Sequence, residues 1–107
     1  MVKLIITTGE SIPNKKVSEV LGVVKGNTVR ARHLGVDIVA GLKNVVGGEV
    51  KTYTTMTTQS REEAYNRMIN EAVELKADAI IGVRFTTSVV MQGASEMLAF
   101  GTAVKLQ

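Results

Sequence analysis

The feature that most constrains this chain is a change of hydrophobic period at Ala77-Asp78. Before it, Ala64, Met68, Ala72 and Leu75 recur at three and four residues, with Tyr65, Ile69 and Val73 widening the stripe. Glu62, Glu63, Arg67, Asn70, Glu71, Glu74 and Lys76 fall on the other sides, which is the pattern of an amphipathic helix. After it the period is two. Ile81, Val83, Phe85, Thr87, Val89 and Met91 share one face of a strand, and Ile80, Gly82, Arg84, Thr86 and Ser88 share the other. Gly93-Ala94-Ser95 supplies a turn, and residues 97–106 return as a second strand, so the two make a hairpin. About twelve strand residues span ~40 Å and a helix of about 25 residues spans ~37 Å, so one long helix matches one long hairpin.

Two signals compete for the start of that helix. Ser60 and Glu63 have the S-x-x-E spacing of a capping box, which puts the first turn at Ser60. Tyr53, Met56 and Ser60 carry the stripe further upstream, although the threonines between Thr52 and Thr58 are poor helix formers. The stripe favours one continuous helix from about residue 50 to residue 76. Upstream, residues 2–8 are a β-branched run that reads as a short N-terminal strand, ended by Gly9 and followed by a turn at Ser11-Ile12-Pro13-Asn14. Residues 17–32 read as one long, bent strand, with Gly22 and Gly26-Asn27 marking a bulge or a close backbone approach. Ile38, Leu42 and Val45, with Val39 and Val46 beside them, predict a short helix stopped by Gly47-Gly48. The expected class is α+β in a single domain, residues 1–107.

Composition excludes several chemistries. The chain has no cysteine, which removes disulfide frameworks, thiolate catalysis, iron–sulfur clusters and sulfur-based zinc sites, and fits a reducing compartment. His33 is the only histidine, so no site resting on two imidazoles of one chain is available. The net charge of +3 falls short of a dedicated nucleic-acid binder, and no aromatic residues interleave with Lys25, Arg30, Arg32 and Lys43 to stack bases. The most apolar stretch, residues 36–46, is far below the ~20 residues of a spanning helix. Neither nucleic acid nor membrane is therefore expected as a partner; no signal peptide is visible, and the cytoplasm is the expected location.

The last strand carries the argument on assembly. Leu98, Phe100, Thr102 and Val104 form one face, and Met97, Ala99, Gly101 and Ala103 the other; neither is charged. A sheet covered by helix on one side should show charge on the side left wet. With one long and one short helix available, the economical cover for the second face is another copy of the chain, unless the short helix shields it. A homo-oligomer is therefore expected.

Several strings in fixed order carry a family resemblance: Leu21-Gly22-Val23-Val24, Asp37-Ile38-Val39-Ala40-Gly41-Leu42, Gly47-Gly48, Arg61-Glu62-Glu63-Ala64, Ala77-Asp78-Ala79-Ile80-Ile81-Gly82-Val83 and Gly101-Thr102-Ala103-Val104. Over nearly its whole length the chain resembles the YbjQ family of uncharacterised bacterial proteins. That resemblance implies a dodecin-like subunit: two layers in the order β-α-β-β, an antiparallel three-stranded sheet packed by one long helix, and assembly into a closed pentamer aided by short extra strands. The family carries a heavy-metal-binding label and no catalytic residues to transfer.

Candidate chemistry is sparse. His33 and Asp37, four apart, would share a face if the helix reached back to His33, and could hold a divalent ion; the competing account puts Asp37 in a first helical turn. Met56, Met68, Met91 and Met97 offer thioethers to Cu(I), but Met68 and Met91 sit where core filling is expected. Glu62, Glu63, Glu71 and Glu74 lie on the helix's polar side, where Arg67 and Glu71 pair at i,i+4. Arg84 and Glu96 are isolated charges in the hairpin; they either pair across it, or Arg84 with Thr86 anchors an anionic ligand at a subunit interface. Glycine spacing matches no phosphate-binding fingerprint, and no cofactor is implied. The first reading is a non-enzymatic homo-oligomeric module, a pentamer by resemblance, with small-molecule or anion binding at Arg84, Thr86 and Glu96. The second is a metal-ion binder pooling His33 and Asp37 from several copies, and the third an enzyme of unknown reaction.

Overall fold

The computed structural model describes residues 3–31, 45–46 and 49–107. In chain order the elements are β1 (Ile5–Ile6), β2 (Val17–Ala31), β3 (Val45–Val46), β4 (Glu49–Val50), α1 (Lys51–Glu74), β5 (Ala79–Met91) and β6 (Ala94–Leu106). The main sheet has four strands in the order β1-β5-β6-β2. The resemblance implied three antiparallel strands, and the difference is β1, which pairs parallel with β5, Ile5 opposite Ala79 and Ile6 opposite Ile80. Its backbone is well used: Ile5 N–H donates to Asp78 C=O at 3.2 Å and Thr7 N–H to Ile80 C=O at 3.0 Å. A two-residue strand joins the sheet because the buried upper end of β5 offers it open backbone groups and an apolar neighbour, neither of which is encoded in β1 itself.

The helix is continuous from Lys51, with no break at Ser60. It ends at Glu74, two residues before the expected boundary, in a Schellman arrangement: Lys76 has φ 61°, Lys76 N–H donates to Val73 C=O and Ala77 N–H to Ala72 C=O. The buried stripe is Ser60, Ala64, Met68 and Ala72, while Val73 in the last turn and Leu75 just past it, placed on the sheet-facing side by periodicity alone, are exposed.

Alternation in β5 is not simple. Ile80 and Val83 are both buried in one cluster with Val24, Met68, Met97, Ala99 and Ala103. A register shift lies between Ile81 and Arg84, and Gly82 has φ 62°. The bulge inserts one residue, so core positions change from even to odd across it, and glycine supplies the left-handed backbone. The expectation that Ile80 faces away from Val83 is therefore corrected. Beyond the bulge Phe85 stacks on Tyr65 of the helix, ring centres 6.0 Å apart. Val89 and Met91, expected on the packed face, are exposed at the turn end of the hairpin.

In β2 both anticipated irregularities occur, one at each glycine. Register shifts fall at the start of the strand, the second between Val20 and Gly22. Gly26 is the close approach: a Cβ there would sit 2.3 Å from Ala64 C=O and 2.4 Å from Met68 N. The residues expected at the end of a short helix, Val45–Val46, are instead a strand paired antiparallel with Glu49–Val50. Valines flanking Gly-Gly are also the composition of a two-residue hairpin, and here that signal prevails over helical spacing. The rest of the proposed short helix lies outside the described residues.

The Gly26 contact is with helix backbone and cannot be relieved by a rotamer change. Gly26→Ala is expected to lower stability by about 2–3 kcal/mol in urea unfolding, whereas Gly9→Ala, whose nearest contacts would be 3.5 Å away, should stay within about 0.5 kcal/mol of the parent.

Candidate functional site

The register shows which hairpin residues meet. Arg84 is opposite Phe100, Thr86 opposite Leu98 and Ser88 opposite Glu96. Arg84, Thr86 and Glu96 thus share the sheet face turned away from the helix, but Glu96 lies four positions beyond Arg84 along the hairpin, ~13 Å at strand rise. The cross-hairpin pair does not form. Arg84 Nη1 instead donates to Thr8 C=O at 2.8 Å and to Val83 C=O at 2.9 Å, pinning the segment after β1 onto β5. Glu96 accepts from Asn27 Nδ2 at 3.1 Å, across the β2–β6 pair. Thr86 is exposed. The three residues share a surface and do not make one pocket. His33 and Asp37 lie outside the described residues.

The helix carboxylates also have partners other than those expected. Arg67 Nη1 donates to Asn27 C=O, and Glu71 Oε1 accepts from Lys25 N–H at 3.3 Å, so the anticipated i,i+4 pair is replaced by two contacts to β2. Glu63 accepts from Arg30 Nη2, and Ser60 Oγ accepts from Arg30 Nε at 3.3 Å. Both members of the apparent capping box are therefore spent on one arginine of the neighbouring strand. Thr28, buried beside them, donates its hydroxyl to Ser60 C=O at 3.0 Å.

Arg30, which the sequence shows only as one of four scattered basic residues with Lys25, Arg32 and Lys43, was not singled out as a site residue. It borders a cavity of about 340 Å³ between the turn end of the hairpin and the first half of α1, lined also by Met56, Thr57, Ser60, Thr87, Ser95 and Met97. The signal available in the sequence was its even-numbered position in β2, shared with buried Val24 and Thr28, which places it on the helix side. Of the methionines, Met68 is fully buried in the core and Met91 is exposed, while Met56 and Met97 meet in this cavity. Among the described residues no group of three His, Asp or Glu side chains could hold a metal ion.

On the face opposite the helix, Val20, Val23 and Val29 are 64%, 66% and 56% exposed. Val23 pairs with Thr102, and Leu98 and Phe100 lie between it and β5 on the same face, each half-buried. No described helix is long and apolar enough to cross a membrane.

A family model described as "Putative heavy-metal-binding" matches residues 4–107. A UPF0145 protein of Archaeoglobus fulgidus is 61% identical over 105 residues, covering 98% of this chain and 97% of the relative. One of Thermotoga petrophila is 55% identical over 104 residues, covering 97% and 98%. A crystal structure of a protein of unknown function from Pediococcus pentosaceus, assigned to the DUF74 family, superposes with a TM-score of 0.65 at 20% identity, over 97% of this chain and 98% of that one. That likeness speaks to the α+β fold.

If Arg84 acts as the clamp its contacts describe, Arg84→Ala should destabilise the fold by about 1 kcal/mol. It should also speed hydrogen exchange at the Gly82 and Val83 amides, which donate to Gly9 and Thr7, by more than the factor that the loss of global stability gives at the Met68 amide in the core.

Proposed function

The chain belongs to the YbjQ family, and from that premise we propose that it is a non-enzymatic module that self-associates through the sheet face opposite α1. One observation carries the reading: Val20, Val23 and Val29 stand more than half exposed along β2, on the face that Leu98 and Phe100 share. An apolar side chain taken fully from water contributes about 1.5–3 kcal/mol, so covering this row in a second copy supplies several kcal/mol per chain. Lys25, on the same face between Val23 and Val29, and Arg84 and Glu96 beside it are charges of both signs and suit contact between identical surfaces. A pentamer is the form implied by the family resemblance, and a small molecule or anion held between copies would meet Arg84, Thr86 and Glu96 there.

The non-enzymatic part rests on how the carboxylates are used. Glu63 pairs with Arg30, Glu71 with a backbone amide of β2 and Glu96 with Asn27, while Asp78 Oδ2 accepts from Leu106 N–H at 2.9 Å. Each has a structural partner, and none stands beside a nucleophile as a base. A cytoplasmic location fits a chain without cysteine.

The family model's description favours a second reading, metal binding. With no thiolate in the chain, the ligands would be hard or borderline donors, His33 and Asp37, pooled from several copies. Metal analysis after incubation with Zn²⁺ and Ni²⁺ separates it from the first: one ion per assembly, lost in His33→Ala, supports it, and none bound counts against it.

Light scattering at micromolar concentration is expected to return a multiple of 11.5 kDa, and Val23→Glu combined with Val29→Glu to shift the mass towards one copy while the circular dichroism spectrum is kept. Folded parent protein running as a monomer would overturn the reading.

A further inference from the structure

We propose that the cavity beside Arg30 binds a small organic acid, an aromatic or aliphatic body bearing one carboxylate or phosphate. The reading does not depend on self-association, because the cavity's walls come from a single copy. Its volume, about 340 Å³, falls in the range of small-molecule sites and accommodates a ring with its acid group.

The charge inside it is one-sided. Arg30 faces the helix side, opposite Ser95 in the sheet register. Two further acidic residues are close by, but neither offers its carboxylate to the cavity. Glu63 grips Arg30 from outside and is not part of the lining. Glu96 lines the cavity, yet its carboxylate is held by Asn27 on the opposite face of the sheet. The cation facing the interior is therefore a guanidinium, whose planar donors suit a carboxylate or phosphate.

The Arg30–Glu63 pair is no barrier. Its members are 36% and 46% exposed, and ion pairs with that much access to water contribute little. Glu63 instead orients the guanidinium together with Ser60 Oγ. The hydroxyls of Ser60, Thr87 and Ser95 add donors around an acid group, while Met56 and Met97 form an adaptable apolar wall for the body of the ligand.

The test is calorimetric titration of the full chain with three probes: phenyl phosphate, benzyl alcohol, which has the ring without the charge, and inorganic phosphate, which has the charge without the ring. Phenyl phosphate is expected to saturate one site per chain, with the other two at least roughly tenfold weaker. Arg30→Gln should weaken phenyl phosphate roughly tenfold or more, the scale of a charge-assisted hydrogen bond. Ser95→Leu, which fills the cavity without touching charge, should abolish binding and keeps the test valid should Arg30→Gln fail to fold. A second cavity carries two lysines, Lys76 and Lys105, and the double variant Lys76→Gln, Lys105→Gln should bind as the parent does. The proposal fails if the parent takes up no phenyl phosphate at millimolar concentration, if binding survives both Arg30→Gln and Ser95→Leu, or if it follows the lysines.

Discussion

The structure depends on backbone meeting backbone at Gly26. Because no side chain separates β2 from α1 there, the helix settles onto the strand at the level of Ala64 and Met68, and small residues recur on β6, where Ala99 and Ala103 are buried in the same core and Gly101 leaves room for the Ile80 and Val83 side chains. Small residues on both partners bring the two layers close, and that closeness sets what the flanking residues can reach. Thr28, two residues on, meets the Ser60 carbonyl; Arg30, two further, meets the Ser60 hydroxyl and Glu63. A methyl group at Gly26 would therefore disturb a row of polar contacts as well as a packing contact.

The same approach resolves a problem of the sheet's edge. β2 is an edge strand of fifteen residues, and a long edge presents unpaired N–H and C=O groups. Glu71 takes the Lys25 N–H and Arg67 gives to the Asn27 C=O, so side chains of a helix lying across the strand satisfy its middle. At the other edge Arg84 does comparable work, holding the chain after β1 against β5 through the Thr8 carbonyl. Charged residues that look in the sequence like ion pairs or ligand anchors are spent here on main-chain groups. Such bonds hold strands and helix in fixed register, which surface ion pairs do poorly.

That use of side chains sets the limit of what the sequence discloses. The long helix, the hairpin and the bent strand were legible because each carries its own period, and the apolar stripe through Met56 and Ser60 overrode the S-x-x-E signal. The partner of that signal was not legible: Ser60 and Glu63 satisfy a cap and an arginine equally well, and only the Gly26 contact decides between them. The parallel pairing of Ile5–Ile6 was hidden because a two-residue strand has no period. Gly82 fitted the regular alternation, and its effect, moving both Ile80 and Val83 into the core, requires the pairing register with Ile81 and Arg84 on either side. Val45–Val46 satisfied helix and hairpin patterns alike. Arg84, grouped by alternation with Ile80, lies on the face opposite it because of the bulge, and the partners of Arg84 and Glu96 came from outside the hairpin and could not be inferred from spacing within it.

The two faces of β2 and β6 would carry the two proposed kinds of recognition separately. On the helix side, polar groups are paired inward and what remains open is a cavity with one cation and several hydroxyls, suited to a solute. On the opposite side valines at positions 20, 23 and 29 stand without a cover among the described residues, with Lys25 and Asn27 between the last two, an extended mixed surface that suits another surface rather than a solute. The two are coupled through the strands themselves. Glu96, between Ser95 and Met97, is held to Asn27 on the outer face, while its neighbours line the cavity on the inner one. Whatever settles on the valine face and orders Asn27 and Glu96 therefore also fixes the wall that Ser95 and Met97 present, so a ligand and a partner copy would influence one another through a strand one residue thick.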